Sequence, residues 1–447
     1  MRDRLYGTVY GTTDEAVLET VTFFCSLPHS NVAESVLCMS YNLIDTAINL
    51  QSVVDFAALR EDQLIRILQS NPKRQLELEI GSWSLEQARI LATQSFPLNL
   101  KFTKIREGWT GIGPKDDGSE FINHLEIRRT CFGSLTVGDP YSQGTPLPIS
   151  REMLERILNL EGKIDTLTIG LLNPGQVLLP FSAKVNALTY KVKANHLQPS
   201  HFDTLDIATK RLDLIVRADN LRDLMDVYIS FCDRVSELGH FERLAFNPKA
   251  LRGSDAITVS HLAQAFSKAI RGNSNLTCLY IGVIELLPSS DSQLIDLFKA
   301  LGEAEKLRTV SLHRFPLVEY YSDVEDYHRL CQPFYSLLER LLSRNRKITV
   351  LDIDGERITN GTTIDKIYAL NFFYNGAAKL LKESTARRSS LVVTALTESA
   401  AANFQYSAQL LSFHTDLLWE FLEDAFLSDD DNVDAARPVL EQSDSNH

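Results

Sequence analysis

Apolar residues recur along most of the chain in two alternating spacings. From about residue 61 to 354, stretches with apolar residues three and four positions apart alternate with short runs in which they occupy every second position. The first spacing is typical of a helix with one buried stripe, as in Leu64, Ile67 and Leu68, and the second of a strand with one buried face. The chain is therefore predicted to alternate helix and strand.

The predicted strands share an apolar-x-x-apolar-x-apolar template or a simple alternation. About ten are expected, at Leu76–Ile80, Leu98–Phe102, Phe132–Val137, Ile164–Ile169, Val185–Tyr190, Leu212–Val216, Phe241–Phe246, Leu276–Ile281, Leu307–Leu312 and Ile348–Ile353. Between the fifth and sixth strands we interpret the residues from Ser200 as a helix. The competing hypothesis is a doubly wound α/β domain, which ten strands and the lack of a glycine-rich nucleotide turn disfavour.

One helix-strand unit cannot bury both its helix stripe and its strand face, whereas stacked neighbours bury both. We therefore predict an α/β fold, an irregular leucine-rich-repeat solenoid with a parallel concave sheet and helical N- and C-terminal caps. The expected domains are a helical cap at 1–60, the solenoid at 61–361, a second helical cap at 362–426 and a disordered acidic tail at 427–447. Ser84 with Gln87 forms a capping-box pattern that begins one of the helices.

Several segments also resemble those of uncharacterised leucine-rich-repeat-like, ribonuclease-inhibitor-like proteins of the kind abundant in diatoms. The resemblance covers about residues 60 to 426. The residues that carry it are Gly81–Ala88, Pro97–Leu100, Leu179–Val185, Leu238–Leu244, Leu342–Arg346, Asn360–Gly361, Leu370–Tyr374 and Ala395–Ala400. The resemblance implies a fold, and it implies no activity or catalytic residue.

The charge and composition of the chain disfavour some classes of binding partner. The net charge is −13 and no cluster of Lys and Arg is visible, which disfavours a nucleic acid or an anionic membrane as the main partner. No signal peptide or membrane span is evident, so a cytoplasmic or nuclear location is expected. Six cysteines without a C-x-x-C pair are expected to be free thiols, and neither a metal nor a cofactor is expected.

One segment of the sequence resembles a catalytic motif. Ile348–Glu356 contains Asp352 and Asp354 in the spacing of the first motif of haloacid-dehalogenase-like phosphatases, in which the first Asp is the nucleophile and the second an acid/base. Glu356 departs from that motif, and the residues that follow are helical in pattern. The same residues also fit the last strand of the array and an Asp-Gly turn, so we expect no catalytic residues and no enzyme.

The concave face is the expected binding surface. Between the apolar anchors of the strands, its central part carries a neutral ladder of Ser and Thr, which sheet propensity alone explains. The later strands add charge and an aromatic anchor, and the predicted partner-binding residues are Arg217, Arg243, Tyr280, His313 and Asp352.

Three functions remain open from the sequence. The leading hypothesis is a non-enzymatic protein-interaction scaffold that binds a polypeptide on the concave sheet. The second is a substrate-recognition subunit of a ubiquitin ligase, with residues 1–60 as the docking module. The third is the phosphatase that uses Asp352 and Asp354. The sequence specifies neither the partner protein nor the oligomeric state.

Overall fold

The structure, a computed structural model, divides into two compact units. The first comprises Met1–Cys331 and Val350–Ile358, and the second comprises Gln332–Thr349 and Thr359–His447. The residues that the structure describes are 9, 11–27, 36–39, 58–72, 74–78, 83–102, 118–138, 147, 150–218, 221–250, 256–282, 292–312, 324–352, 354–397, 403–420 and 422.

Within these residues, eleven strands form a single sheet in the order of the chain. They are β1 (Val36–Met39), β2 (Gln75–Leu78), β3 (Leu98–Phe102), β4 (Gly133–Val137), β5 (Thr166–Ile169), β6 (Ala187–Lys193), β7 (Arg211–Ala218), β8 (Arg243–Ala250), β9 (Cys278–Ile281), β10 (Thr309–Leu312) and β11 (Thr349–Leu351). Neighbouring strands from β1 to β10 are parallel. Since consecutive strands pair side by side and in parallel, each connection must cross back over the same face of the sheet.

Helices supply most of these connections. The helices of the described residues, of which α2 to α9 lie between strands, are α1 (Asp14–Cys25), α2 (Glu61–Ser70), α3 (Leu85–Thr93), α4 (Ser119–Ile127), α5 (Arg151–Leu158), α6 (Leu221–Leu238), α7 (Ala256–Gly272), α8 (Ser292–Glu303), α9 (Val324–Arg344), α10 (Thr363–Leu380), α11 (Thr385–Ala395) and α12 (Phe404–Phe413). Consecutive helices of the first unit pack on each other, as α6 on α7 and α7 on α8 do. The predicted capping box of α3 is confirmed, because the Ser84 hydroxyl accepts from the Gln87 amide and the Gln87 side chain accepts from the Ser84 amide.

The core of the first unit contains a row of leucines that runs across the sheet. One buried residue from each of the nine strands β2 to β10 stands in register with the next: Leu76, Leu100, Leu135, Leu167, Leu188, Leu212, Leu244, Leu279 and Val310. These are the central anchors of the sequence template. The α/β repeat architecture and the ten predicted strands between residues 61 and 361 are thereby confirmed.

Two details of the array differ from the prediction. The sheet begins one strand earlier, at β1, within the segment that the sequence analysis assigns to a helical cap. Four residues are too few to show a clear alternation. The helix expected from Ser200 is instead a 3₁₀ turn at Pro199–His201, where Pro199 fixes the first turn and the chain reaches β7 within ten residues.

An aromatic cluster supports the longest strands, β6 to β8. Phe231 of α6 packs edge-on against Phe202 and Phe246, with ring centroids 5.6 and 5.8 Å apart. Phe181 contacts Tyr190 in the same way at 5.6 Å, and the Tyr190 hydroxyl donates to the Val177 carbonyl oxygen at 3.0 Å. Because large buried rings stabilise the strands above them, this region can sustain strands of seven and eight residues.

The second unit is built from the end of α9 and from α10 to α12. Its buried residues Ala377, Val392, Leu410 and Leu417 form one cluster. The side chain of Asn371 donates to the Leu342 carbonyl oxygen at 2.8 Å and so joins α10 to α9. The helices α10, α11 and α12, within the described parts of residues 362–420, agree with the helices predicted there. The assignment of the two ends of the chain as caps stays a prediction.

Candidate functional site

The face of the sheet opposite the leucine row, which we call the open face, carries two long rows of residues. The first row is Gln75, Asn99, Ser134, Thr166, Ala187, Arg211, Arg243, Cys278 and Thr309. The second row, two positions further along each strand, is Glu77, Lys101, Thr136, Thr168, Thr189, Asp213, Ala245, Tyr280 and Ser311. Alternate residues of a strand point to opposite faces, so both rows face away from the leucines.

The predicted ladder of Ser and Thr lies on β4 to β6. Thr136, Thr168 and Thr189 stand side by side in the second row, next to Ser134 and Thr166 of the first row. All of them are half-buried. This part of the open face is neutral, and β-branched residues on adjacent strands suffice to explain it.

The strands β6 to β8 extend the open face by two further rows. The third row is Lys191, Ile215 and Asn247, and the fourth row is Lys193, Arg217 and Lys249. Lys191 and Ile215 are buried, with exposed fractions of 3% and 0%, so the third row is covered at two of its three positions. Lys193 and Arg217 are half-buried.

The structure places two of the predicted partner-binding residues next to each other. Arg243 of β8 is exposed in the first row, and Tyr280 of β9 is half-buried in the second row of the adjacent strand. They are thus diagonal neighbours, which long side chains can bridge. Arg217 belongs to the same face, but six residues along a strand separate its row from that of Arg243, a distance of about 20 Å.

The other two predicted residues do not join this group. His313 lies outside the described residues. Asp352 directly follows β11, in which the buried residue is Val350 instead of the expected Leu351. Asp352 itself lies beyond the end of the strand and is half-buried, and its assignment to the open face stays a prediction.

Asp352 holds a turn. One carboxylate oxygen, Oδ1, accepts hydrogen bonds from the backbone amides of Asp354 and Glu356, both at 2.9 Å. The Asp352 amide donates to the Glu356 carbonyl oxygen at 2.8 Å, and Gly355 has a φ of 82°. An Asp side chain that caps its own turn and a glycine with positive φ are the usual parts of an Asp-Gly turn.

Among the residues that the structure describes, no three His, Cys, Asp or Glu side chains come together as metal ligands would. Cys25, Cys131, Cys232 and Cys278 are free thiols. In the described part of the chain, no helix has the length and hydropathy that a membrane crossing requires.

Asp213 is the acidic residue among the cations of β6 to β8. Burial raises its pKa to about 6, and the positive charge of Arg243 opposes that rise. Its Oδ1 atom is buried and has no hydrogen-bond partner within the described residues. Ionisation of this carboxyl group near neutral pH is therefore energetically unfavourable, although the charged side chains beside it are positive.

Lys193 influences a neighbouring histidine. Burial, and then the positive charge of Lys193, lower the pKa of His196, which follows β6 in a 3₁₀ turn at Ala194–His196. At neutral pH the imidazole is therefore neutral, and the charge at this end of the strands is that of the lysine and arginine side chains.

Two cations of this face, Lys193 and Arg211, were not predicted from the sequence. Each lies at an end of a strand, outside the six-residue template used for prediction. The signal was nevertheless present, because the alternation of Tyr190, Val192 and Ala194 continues past the template and places Lys191 and Lys193 between apolar residues.

Comparison with solved structures gives a structural likeness. No family model and no curated protein matches the chain. The chain is similar to the crystal structure of a leucine-rich repeat-containing protein, LegL7, from Legionella pneumophila, with 15% identity, coverage of 81% of this chain and 95% of that chain, and a TM-score of 0.41. A TM-score this low does not support a fold assignment, and the α/β repeat fold is assigned from the order and registers of the strands.

Proposed function

We propose that this protein is a non-enzymatic interaction scaffold of the leucine-rich-repeat type, which binds a polypeptide partner on the open face of its sheet. The observation that carries the proposal is the placement of Arg243 and Tyr280 as diagonal neighbours on β8 and β9. Arg and Tyr are enriched among the residues that dominate binding energy in protein interfaces, because both combine a large contact area with hydrogen bonding.

The surroundings of this pair also support an interface. Cys278, Thr309 and Ser311, on β9 and β10 beside Tyr280, are uncharged. Arg243 is solvent-exposed, whereas Tyr280 is partly buried. A charged group at the rim of a partly buried aromatic ring resembles the arrangement of polar rim and apolar centre in many interfaces.

The test is affinity capture from the native cell with wild-type protein and with the double variant Tyr280→Ala and Arg243→Ala. We expect the variant to lose a partner that the wild type retains. The matched control is Arg151→Ala and Lys299→Ala, two exposed cations on α5 and α8, which should retain it. An identical set of captured proteins for all three forms would refute binding at this pair.

A further inference from the structure

Helix α10 of the second unit is apolar over most of its length. Its twelve residues Ile367–Ala378 include no Asp, Glu, Lys or Arg. A surface helix usually bears charged residues on its outer face, whereas a helix that is apolar on all sides is usually buried on all sides. Any face of α10 that is exposed therefore presents apolar surface to the solvent.

The neighbouring helices of the second unit pack on two sides of α10. Asn371 donates to the Leu342 carbonyl oxygen of α9. The ring of Phe373 stacks on that of Tyr406 of α12, with centroids 4.5 Å apart, and Ala377 belongs to the buried cluster of this unit. The residues that meet α9 and α12 thus leave a third side of α10.

This third side, which we call the outer stripe, consists of Asp365, Ala369, Phe372, Gly376 and Lys379. All five residues are exposed, and Phe372 has an exposed fraction of 79%. At about 100° per residue they lie within about 40° of one line along the helix. Ala369 and Gly376 are small, and a Cβ atom added at Gly376 would meet nothing within 4 Å. The ring of Phe372 is therefore the one large apolar group of the stripe.

The two ends of the outer stripe carry opposite charges at equal distances from its centre. Asp365 and Lys379 each lie seven residues from Phe372, which is two turns or about 10.5 Å along the helix. When two copies of α10 cross in antiparallel orientation at Phe372, Asp365 of each copy comes to lie beside Lys379 of the other. Every contact then occurs twice, as in an isologous interface about a twofold axis. The charges of the stripe thus complement a second copy of the same stripe.

Asp365 has the capacity for such a contact. The Thr359 hydroxyl donates a hydrogen bond to its Oδ2 atom, and an ionised carboxylate can accept about four hydrogen bonds. Ion pairs at a surface add little affinity, but they determine which orientation of two surfaces is favoured. Burial of the two Phe372 rings supplies most of the attraction, and the two ion pairs select the antiparallel arrangement.

We propose that the protein forms a homodimer in which the outer stripes of two α10 helices pack antiparallel. Phe372 lies at the twofold axis, and two ion pairs between Asp365 and Lys379 join the copies. A single pair of helices is a small interface, so the expected dissociation constant is about 10 μM. This inference goes beyond the proposed function, because it uses α10 and no residue of the open face.

Sedimentation velocity of the full chain, at about 1 to about 200 μM, measures the association. Wild type should change from monomer to dimer over this range. Phe372→Ala should weaken the dimer at least about tenfold, because it removes the central ring. The matched control is Phe23→Ala, which removes another exposed ring, on α1, and should alter the dissociation constant by less than about twofold.

Charge reversal tests the antiparallel pairing. Asp365→Lys sets lysines opposite each other in its own dimer, and Lys379→Asp sets aspartates opposite each other, so each variant alone should dimerise at least about tenfold more weakly. An equimolar mixture of the two should recover the dimer, because each copy then meets opposite charges at both ends. Any local damage to α10 persists in the mixture and cannot produce this recovery.

Lys299→Asp makes the same change of charge at an exposed position of α8 and should leave the dimer unchanged. Circular dichroism verifies that every variant is folded. Three results would each overturn the proposal: a wild type that stays monomeric, a dimer that Phe372→Ala does not weaken, or a mixture of the charge variants that associates no better than either alone. The proposed function stands or falls separately, with the captured partners of the Tyr280→Ala and Arg243→Ala variant.

Discussion

The side-chain amide of Asn273 donates a hydrogen bond to the backbone carbonyl oxygen of Val235, 3.0 Å away, and thereby joins the end of α7 to α6. The same amide donates to the Ala269 carbonyl oxygen at 2.8 Å, and its oxygen accepts from the Phe241 amide at 3.1 Å. Asn273 is buried. One side chain thus satisfies three backbone groups of two successive repeats at the point where helices give way to strands.

Replacing Asn273 with Ala should therefore be costly. The substitution leaves buried backbone groups without partners, and we expect the free energy of unfolding to fall by about 3 kcal/mol. Urea denaturation measures the change. The control is Asn275→Ala, since Asn275 is exposed and its side-chain oxygen accepts a hydrogen bond from the Lys306 ammonium group, and it should change stability by less than about 0.5 kcal/mol. Equal losses in the two variants would contradict the assigned role.

Arg128 makes a similar connection between earlier repeats. Its guanidinium group donates to the carbonyl oxygens of Ala92 at 2.7 Å, Phe96 at 2.9 Å and Thr130 at 3.0 Å. Burial lowers its pKa. A lysine carries the charge but lacks the planar fork that reaches several carbonyl groups together.

We accordingly expect Arg128→Lys to lower the free energy of unfolding by about 2 kcal/mol, as lost hydrogen bonds to a charged group do. The adjacent Arg129 is exposed, so Arg129→Lys should have nearly no effect. Thermal unfolding of both variants provides the comparison. Equal melting temperatures of the Arg128→Lys and Arg129→Lys variants would contradict this role of Arg128.

Gly272 allows α6 and α7 to approach each other. A Cβ atom at this position would lie 2.5 Å from both the carbonyl and the hydroxyl oxygen of Ser236. Gly272→Ala should therefore destabilise the first unit by about 1–3 kcal/mol through overpacking. Gly376 of α10 has open space around the same position, and Gly376→Ala should stabilise its helix by up to about 1 kcal/mol. Hydrogen exchange of α6, α7 and α10 separates the two effects, and slower exchange in α7 of the Gly272 variant would refute the first.

The fold was predictable in large part because alternation and helical spacing report which residues are buried, and ten strands follow from them. The lengths of the strands were harder to predict, since they depend on side chains packed against the sheet. The rings of Phe231 and Phe246 pack in this way at β8. The register of β11 was lost because Val350 and Leu351 are adjacent apolar residues, either of which fits an inward position. Lys193 and Arg211 were not predicted because they lie at the ends of β6 and β7, outside the template that defined the strands.

Asp213 should make stability depend on pH in an unusual direction. Its pKa is raised from 3.8 to about 6 in the folded protein, so the unfolded chain loses this proton at lower pH than the folded one. The stability that the protonated carboxyl contributes is complete below about pH 4 and is lost as the pH rises through about 6. A shift of about two units corresponds to at most about 3 kcal/mol.

Asp213→Asn removes this titration, so the stability of the variant relative to wild type should rise between about pH 4 and pH 6 and stay constant above that range. Urea unfolding at a series of pH values measures the difference. Asp296→Asn serves as the opposite control, because its hydrogen bond to Arg271 lowers the pKa of Asp296, and stability from that group is present above its unfolded pKa and lost in acid. The Asp296→Asn variant should thus become progressively less stable than wild type as the pH rises from about 2 to 5. A difference for Asp213→Asn that does not vary with pH would show that burial of this carboxyl does not raise its pKa, and would contradict the electrostatic cost assigned to its ionised form.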